Sequence, residues 1–510
     1  VSLEPRDAWT VPARRTLAPA GLCLFLAGCS SRTTTTGETA DGGGGSRVDA
    51  RESLEGGTRP GAKGDGGHDA QTNRRSDAGT TAVVPESGAA DAPVSIPHGE
   101  RASAADDFVD SIGVNTHLAF TGEPYTSGYA NVKTLLVASG IRHFRDGLVT
   151  GNASYKSNVL GLTQSGLTAD VITAPTEDAG TIQTFAASLG GAMDALESPN
   201  EWNTNGGTMW VSTLKAYLPV LDQAVTMSPL VGVPVIGPSL TSESAYGDLG
   251  DVSSLVAFGN LHCYLPGFMP ETKGWGATDG FGTYGALTTS IAWGTQAFAH
   301  LADWVTEFGY GTEPSTKGQV PLDVQGKYTV RAAFKLFQLG VRRTYFYQFM
   351  DQGGVADGFG YYGLVAVDPS DLTGNVIPFS PKPSYVALSA ILAELADRGP
   401  SWTPGELAVQ FSSDGGEGVE HVLLEKRNGT FYVVFWLPLP VWDPNAGTTG
   451  SYTPVTPESV SLSVGRSFSS AKLTSFDPSS GAASSEAQPA ATGSFLLTAT
   501  DTVQILELTP

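Results

Sequence analysis

Between about Asp106 and Leu395, short β-rich apolar runs alternate with helix-like stretches, and this alternation constrains the fold more than any other feature of the chain. A chain that writes strand, helix, strand, helix must cover both faces of its strands. A parallel sheet wrapped by helices does so. Strands are expected at Ser111–Asn115, Ile141–Asp146, Leu167–Thr173, Met193–Ser198, Val231–Gly237, Val256–His262, Asp303–Glu307 and Arg343–Phe349. Helical signals fill the gaps: Tyr129–Ser139, with Val132, Leu135 and Leu136 on one face, then Met209–Thr226 and Tyr328–Leu339. Eight such units over about 250 residues match the size of a (β/α)₈, or TIM, barrel.

The pattern changes around Pro400. Val409–Ser412, His421–Glu425, Thr430–Leu437, Val460–Val464, Ser494–Thr498 and Val503–Leu508 are short, β-rich and partly alternating, with no clear helical stretch. Asn428-Gly429 between two of these runs is a hairpin signal. This segment is expected to be an antiparallel β-sandwich packed on the barrel.

The N-terminal part reads differently again. Arg14 and Arg15 precede the apolar run Leu17 to Ala27, which has the length of a signal-peptide core and is too short for a stable bilayer span. The run ends in Leu26-Ala27-Gly28-Cys29, which resembles the lipobox of bacterial lipoproteins. That resemblance implies acylation of Cys29, and Ser30 after it implies outer-membrane sorting. From Ser30 to about Arg101 the chain is rich in Gly, Ser, Thr, Asp and Ala, with too little apolar surface to offset the entropy of ordering. The expected organisation is a lipoprotein signal at 1–29, a disordered linker at 30–104, the barrel at 105–398 and the sandwich at 399–510. The protein is expected outside the cytoplasm, anchored at the cell envelope or secreted, touching the membrane only through its lipid, and monomeric.

Charge and cysteine content exclude several functions. A net charge of −22 argues against nucleic acid and anionic lipid as partners, and leaves a neutral substrate compatible. Of the three cysteines, Cys23 and Cys29 lie in the first thirty residues, so Cys263 stands alone in the rest of the chain, as a core residue. The glycine-rich runs lack a following Lys-Ser/Thr, no histidine pair has zinc spacing, and Asp351, Asp357 and Asp368 do not form an EF-hand loop. No cofactor or metal is expected.

In a barrel of this kind, reactive side chains stand where strands end, at the C-terminal face. The fourth strand runs out in Glu197-Ser198-Pro199-Asn200-Glu201-Trp202-Asn203 and the seventh in Trp304-Val305-Thr306-Glu307-Phe308-Gly309. Each puts a glutamate at the rim. Glu197, four residues before Glu201, sits about 13 Å deeper on a regular strand, where an ion pair with Arg142 or Arg145 is its expected role.

Here the chain resembles the retaining glycoside hydrolases of clan A, in which an Asn-Glu pair ends strand four and a lone Glu ends strand seven. The likeness covers about Asp106 to Leu395 and looks closest to family 39, whose members carry a similar sandwich. It implies that Glu307 is the nucleophile, that Glu201 is the general acid/base, and that Asn200 donates to a substrate 2-hydroxyl. It also implies that Tyr264, after the sixth strand, bonds the nucleophile. Many clan members end strand eight in a tryptophan under the sugar; this chain has Tyr345-Phe346-Tyr347-Gln348-Phe349-Met350 there. Arg145 is a candidate to keep Glu307 ionised, and His117 and His262 are candidates to meet the sugar. Trp202 is a candidate to bind substrate, and Trp210, Trp275 and Trp293 also lie in or near top-face loops, where aromatic faces can stack on the apolar C–H faces of sugars. The implied reaction is cleavage of an O-glycosidic bond in a poly- or oligosaccharide, through one group that protonates the leaving oxygen and another that captures the anomeric carbon. The alternative is a glycan-binding surface lipoprotein on the same barrel, without catalysis. A purely structural role would require a blocked barrel mouth.

Overall fold

The computed structural model describes residues 99–274, 285–352, 359–413 and 418–510. The signal and lipobox residues, Cys29 among them, nearly all of the linker, Trp275 and Asp357 lie outside the described residues.

Eight parallel strands form the barrel: β1 (Ile112–Asn115), β2 (His143–Gly147), β3 (Thr168–Ile172), β4 (Met193–Glu197), β5 (Val235–Ile236), β6 (Gly259–His262), β7 (Asp303–Phe308) and β8 (Arg343–Phe346). They pair in the order β5-β4-β3-β2-β1-β8-β7-β6, and a parallel bridge between Ile236 and Phe258 joins the two ends of the row. A helix follows each strand: α1 (Tyr129–Ala138), α2 (Ala153–Thr163), α3 (Ala179–Ser188), α4 (Trp210–Ala224), α5 (Glu243–Leu249), α6 (Leu287–Phe298), α7 (Leu322–Gln338) and α8 (Pro383–Leu395). Local chemistry sets several of their starts. Asn152 and Asp178 accept hydrogen bonds from the backbone N–H of Tyr155 at 3.0 Å and Thr181 at 2.7 Å, satisfying donors that the first turns of α2 and α3 leave open.

Strand alternation sorts residues between the barrel's inside and its helical coat. On β2, Phe144 packs in the helix–sheet core, while His143 and Arg145 face inward. The barrel interior is filled in layers. At the foot, Arg343 pairs with Asp194 and Asp110, and His143 stands 3.1 Å from Asp110. Above it, Ala195, Ile236, Trp304 and Tyr345 form a small apolar cluster of their own. Gly113 leaves room for the Tyr345 ring, since a Cβ at that position would come within 2.5 Å of it. The polar layer that forms the candidate site sits above this plug.

The C-terminal part is a two-sheet sandwich. Strands β9 (Gln410–Ser413), β12 (Glu458–Ser463) and β15 (Ser494–Ala499) make one sheet. The other holds β10 (Glu420–Glu425), β11 (Phe431–Trp436), β16 (Gln504–Thr509), β13 (Ser470–Phe476) and β14 (Ala483–Gln488), in that order. Asn428-Gly429 forms the β10–β11 turn, where Gly429 takes a positive φ of 84° that glycine adopts without penalty. Residues placed in the linker by composition also join this domain: Glu100–Arg101 pairs with Glu406–Leu407, and Ser103–Ala104 runs beside β10.

Strand β11 explains how the two parts hold together. All six of its residues are buried. Phe431, Val433 and Phe435 point into the sandwich core, whereas Tyr432, Val434 and Trp436 belong to the core that continues into the barrel. Beside Trp436, the fully buried Arg331 of α7 is ion-paired with Glu271 and donates to Leu439 O at 2.9 Å; the Trp436 indole donates to Glu271 Oε1 at 2.7 Å. Removing one partner of a buried pair strands the other charge. Replacement of Glu271 by Ala is therefore expected to cost about 3–5 kcal/mol of stability, read as a lower midpoint in denaturant unfolding, with Glu271→Gln losing less because its one amide oxygen can still accept from Arg331 Nε and Trp436.

Candidate active site

The site is built around one buried guanidinium. Arg145, at the inward face of β2 and 3% exposed, donates from Nε to Glu197 Oε2 at 2.6 Å and from Nη2 to Glu197 Oε1 at 2.7 Å. This two-pronged contact fixes the plane of the guanidinium. The remaining donors point upward: Nη2 reaches Asn200 Oδ1 at 2.6 Å, and Nη1 reaches Glu307 Oε1 at 2.8 Å. Burial opposes the arginine's charge, but the carboxylates of Glu197 and Glu307 more than offset this and hold it well above its ordinary range. Glu197 is thus the structural counter-ion, paired with Arg145; Arg142 turns outward and pairs with Asp106 instead.

Glu307 comes from a bulge. The pairing of β7 slips by one residue against both neighbours: on the β6 side between Leu261 and His262, and on the β8 side between Thr344 and Phe346. In a regular strand, adjacent residues point to opposite faces; a bulge suspends that rule. Thr306 and Glu307 accordingly both serve the barrel interior, Thr306 bonding Asn260 and Glu307 bonding Arg145. Tyr264 donates its hydroxyl to Glu307 Oε2 at 2.8 Å. Burial pushes the Glu307 carboxyl up, but His262, Arg145 and the Tyr264 hydroxyl outweigh it and hold the group below the usual carboxylate range. The Tyr264 hydroxyl itself is held well above the ordinary phenol value, chiefly by burial and then by the Glu307 charge, so it remains a donor.

Glu201 reaches the same space from β4. Its backbone turns through the left-handed region, φ 45° and ψ 42°, uncommon for a non-glycine residue, and its N–H donates to Ser239 Oγ at 3.2 Å. Such a conformation costs on the order of 1–3 kcal/mol and persists only where surroundings enforce it. The turn lets the side chain, 29% exposed, meet His262 Nδ1 at 2.8 Å. That same nitrogen lies 3.6 Å from Glu307 Oε2. One ligand-type atom each of Glu201, His262 and Glu307 falls within a 4.8 Å span. A cation could bridge that span, but the Arg145 guanidinium already supplies positive charge to Glu307 at 2.8 Å. Hydrogen bonds account for all three side chains.

Aromatic rings wall the cluster. Tyr347, in the run that replaces the clan's tryptophan, lies edge-on to His117 at 5.5 Å, Tyr264 at 6.4 Å and Tyr362 at 6.0 Å. His117 also stacks on Phe120 at 4.7 Å, and Phe120 is 48% exposed. The His117 Nε2 atom is buried without a hydrogen-bond partner among the described residues.

Of the residues expected from sequence, Glu201, Glu307, Asn200, Arg145, His262 and Tyr264 meet in one hydrogen-bonded cluster, and His117 lines its edge through Tyr347. Trp202 follows Glu201 in sequence, but it packs partly buried against the core, as do Trp210 and Trp293. Cys263 is buried and its thiol is pushed up to about 12 by burial, which makes it inert. Sequence reasoning did not single out Asn260, Thr306, Tyr347 or Tyr362. Asn260 and Thr306 carry a legible signal, as polar residues inside otherwise buried strands.

No family model matches the sequence, and no curated protein matches it. Among solved structures, the chain is similar to the catalytic domain of GH30 xylanase C from Talaromyces cellulolyticus, with 11% identity, a TM-score of 0.49, and coverage of 81% of this chain and 98% of that one. It is also similar to CelM2, a bifunctional glucanase-xylanase protein from a metagenome library, with 9% identity, a TM-score of 0.47 and coverage of 78% and 99%. A β-glucosidase from Exiguobacterium marinum matches at 12% identity and a TM-score of 0.37, covering 57% of this chain and 94% of that one.

Burial lowers the His117 imidazole to about 4, with Glu307 opposing and Arg145 reinforcing the shift. A base whose folded-state value is depressed favours folding above its unfolded value of 6.5, and that contribution is lost as pH falls toward 4. In an NMR titration of histidine-labelled protein, the His117 ring is expected to stay neutral at pH 5.5 and to protonate near 4; protonation near 6.5 in the folded protein would contradict this environment.

Proposed function

We propose that the chain is a retaining glycoside hydrolase that cleaves O-glycosidic bonds of a poly- or oligosaccharide by double displacement. The observation that carries this reading is the approach of Glu201, just after β4, and Glu307, near the end of β7, with one oxygen of each within 4.8 Å. Retaining enzymes hold their two carboxyl groups about 5–5.5 Å apart, inverting enzymes about 6.5–9.5 Å, to leave room for a water.

The environments support distinct roles. Glu307 is tethered by Arg145 and Tyr264 and kept ionised, as a nucleophile must be. Glu201 is more exposed and contacts His262, which leaves it free to face the leaving group as the acid/base. In the first step Glu307 attacks the anomeric carbon while the Glu201 proton passes to the departing oxygen, whose bond to that carbon breaks. In the second step Glu201 takes a proton from water as the water oxygen displaces Glu307. The products are the free sugar and the enzyme in its starting protonation state. Asn200 is oriented for the 2-hydroxyl: Arg145 occupies its Oδ1, which fixes the amide and turns Nδ2 into the available donor. Tyr347, Tyr362 and Phe120 offer faces and edges against which the C–H faces of sugar rings can pack.

A screen of aryl glycosides and polysaccharides tests this reading. The wild type is expected to release sugar from at least one substrate, and Glu307→Gln to lose turnover by several orders of magnitude while still binding the same glycan. Glu201→Gln is expected to lose about 10²–10⁴-fold on substrates with poor leaving groups, and less on activated aryl glycosides. Glycan binding by wild type and Glu307→Gln alike, with no sugar released by either, would replace hydrolysis with binding.

A further inference from the structure

We infer that Thr306 and Asn260 are positioning residues that lock His262 in one tautomer, with its Nε2 protonated and its Nδ1 turned to Glu201, so that His262 and Glu201 hold a single proton between them. The consequence for turnover rests on the glycosidase reading; the tautomer itself does not.

Hydrogens can be counted along a buried chain of side chains that starts at Asn260. Asn260 is fully buried, and its Nδ2 lies 3.0 Å from Glu197 Oε1 and 3.0 Å from Gly237 O. Both are acceptors, so the amide nitrogen must be on that side and Oδ1 must accept. The atom facing Oδ1 is Thr306 Oγ1, at 2.7 Å. A threonine hydroxyl has one hydrogen. Here it points into the inner network, toward Asn260 Oδ1 and, at 3.4 Å, Glu197 Oε1, both of which can only accept. Thr306 Oγ1 therefore has only lone pairs to offer His262 Nε2, 3.1 Å away on its other side. Nε2 must carry a hydrogen.

This leaves His262 Nδ1, 2.8 Å from Glu201 Oε1. If the imidazole is neutral, Nδ1 is a lone pair and Glu201 must supply the hydrogen. If Glu201 is ionised, Nδ1 must carry a second hydrogen and the ring is a cation. Either way one proton bridges the two groups. Its loss would set a carboxylate against a lone pair at hydrogen-bond distance. Relief would require His262 to move its hydrogen to Nδ1 and Thr306 to turn its own toward Nε2, which would strip buried Asn260 Oδ1 of its donor, a change that is costly where no water can substitute.

The charged and titratable groups around the pair are consistent with this. Glu307 lies 3.6 Å from Nδ1 and is satisfied by Arg145 and by the Tyr264 hydroxyl. Glu197, behind Asn260 and Thr306, is taken by Arg145, and the buried Asp170 beside it is held well above the usual carboxylate range by burial and the Glu197 charge, so Asp170 carries the proton and Glu197 accepts. The Tyr246 hydroxyl donates to Asn260 O at 2.9 Å and faces no ring nitrogen. None of these offers His262 Nε2 a hydrogen. The β7 bulge makes the arrangement possible, because it brings Thr306 into the interior beside Glu307. For a double displacement the benefit is that the position of the proton is set before the bond breaks, and that the carboxylate left after donation faces a lone pair until water restores the proton.

Histidine-¹⁵N NMR of the full chain, assigned with a His262→Asn variant, reads the tautomer directly. In the wild type, Nε2 is expected to be protonated across the whole pH range in which the protein is folded. In Thr306→Val, where Nε2 has no acceptor, the hydrogen is expected on Nδ1 once the ring is neutral, donating to ionised Glu201. The basic limb of kcat/KM should then move to lower pH, while Thr306→Ser keeps the wild-type limb and tautomer. Wild-type His262 with Nε2 unprotonated, or Thr306→Val with tautomer and limb unchanged, overturns the inference. The wild-type spectrum decides the tautomer even if Thr306→Val does not fold. If no glycan is hydrolysed at all, the functional reading fails while the spectrum still decides the lock.

Discussion

The interaction on which the rest depends is the buried pair of Arg145 and Glu197. A guanidinium withdrawn from water inside a barrel loses far more solvation than one ion pair at the surface could return, so it persists only if nearly every N–H is matched. Arg145 meets that condition with carboxylates below and above it and an amide at its side. The bidentate contact with Glu197 sets the direction of the remaining donors, and those donors set the places of Glu307 and Asn200. Strands β2, β4 and β7, far apart in sequence, are thereby tied through one planar group just below the mouth.

Two departures from regular backbone complete the arrangement. The bulge in β7 turns consecutive residues inward, placing Thr306 in the buried hydrogen-bond chain and Glu307, the next residue, as the carboxylate that faces the mouth. The left-handed turn at Glu201 brings the second carboxylate off the end of β4 and over the mouth. Neither device is favourable locally. Both are held by contacts from neighbouring strands: His262 lies between the two carboxylates, and Ser239 holds the Glu201 backbone.

Much of this was legible in the sequence, for physical reasons. Parallel strands buried on both faces write continuous apolar runs, so all eight barrel strands fall within or beside the expected ranges, and a glutamate at the end of a strand stands out against them. The difference between Arg142 and Arg145 was not legible, because it depends on the phase of β2, which three residues of spacing reverses. Strand β14 escaped because Ala-Ser-Ser-Glu-Ala-Gln at an exposed edge buries almost nothing and so has no alternation to read. The pairing of Glu100–Ala104 with the sandwich escaped because it joins segments some 300 residues apart. Asn260 and Thr306 could be seen as polar residues in buried strands, but their partnership requires the register slip that no single strand announces.

The proposed double displacement rests on Glu201 and Glu307 bringing one oxygen of each within 4.8 Å, a spacing that suits direct attack by Glu307. The most direct test is the configuration of the first sugar released, followed by proton NMR before mutarotation can scramble it. Retention of the substrate's anomeric configuration is the expected result. Inversion would mean that a water, and not Glu307, attacks the carbon, and would contradict the geometry from which the mechanism is built.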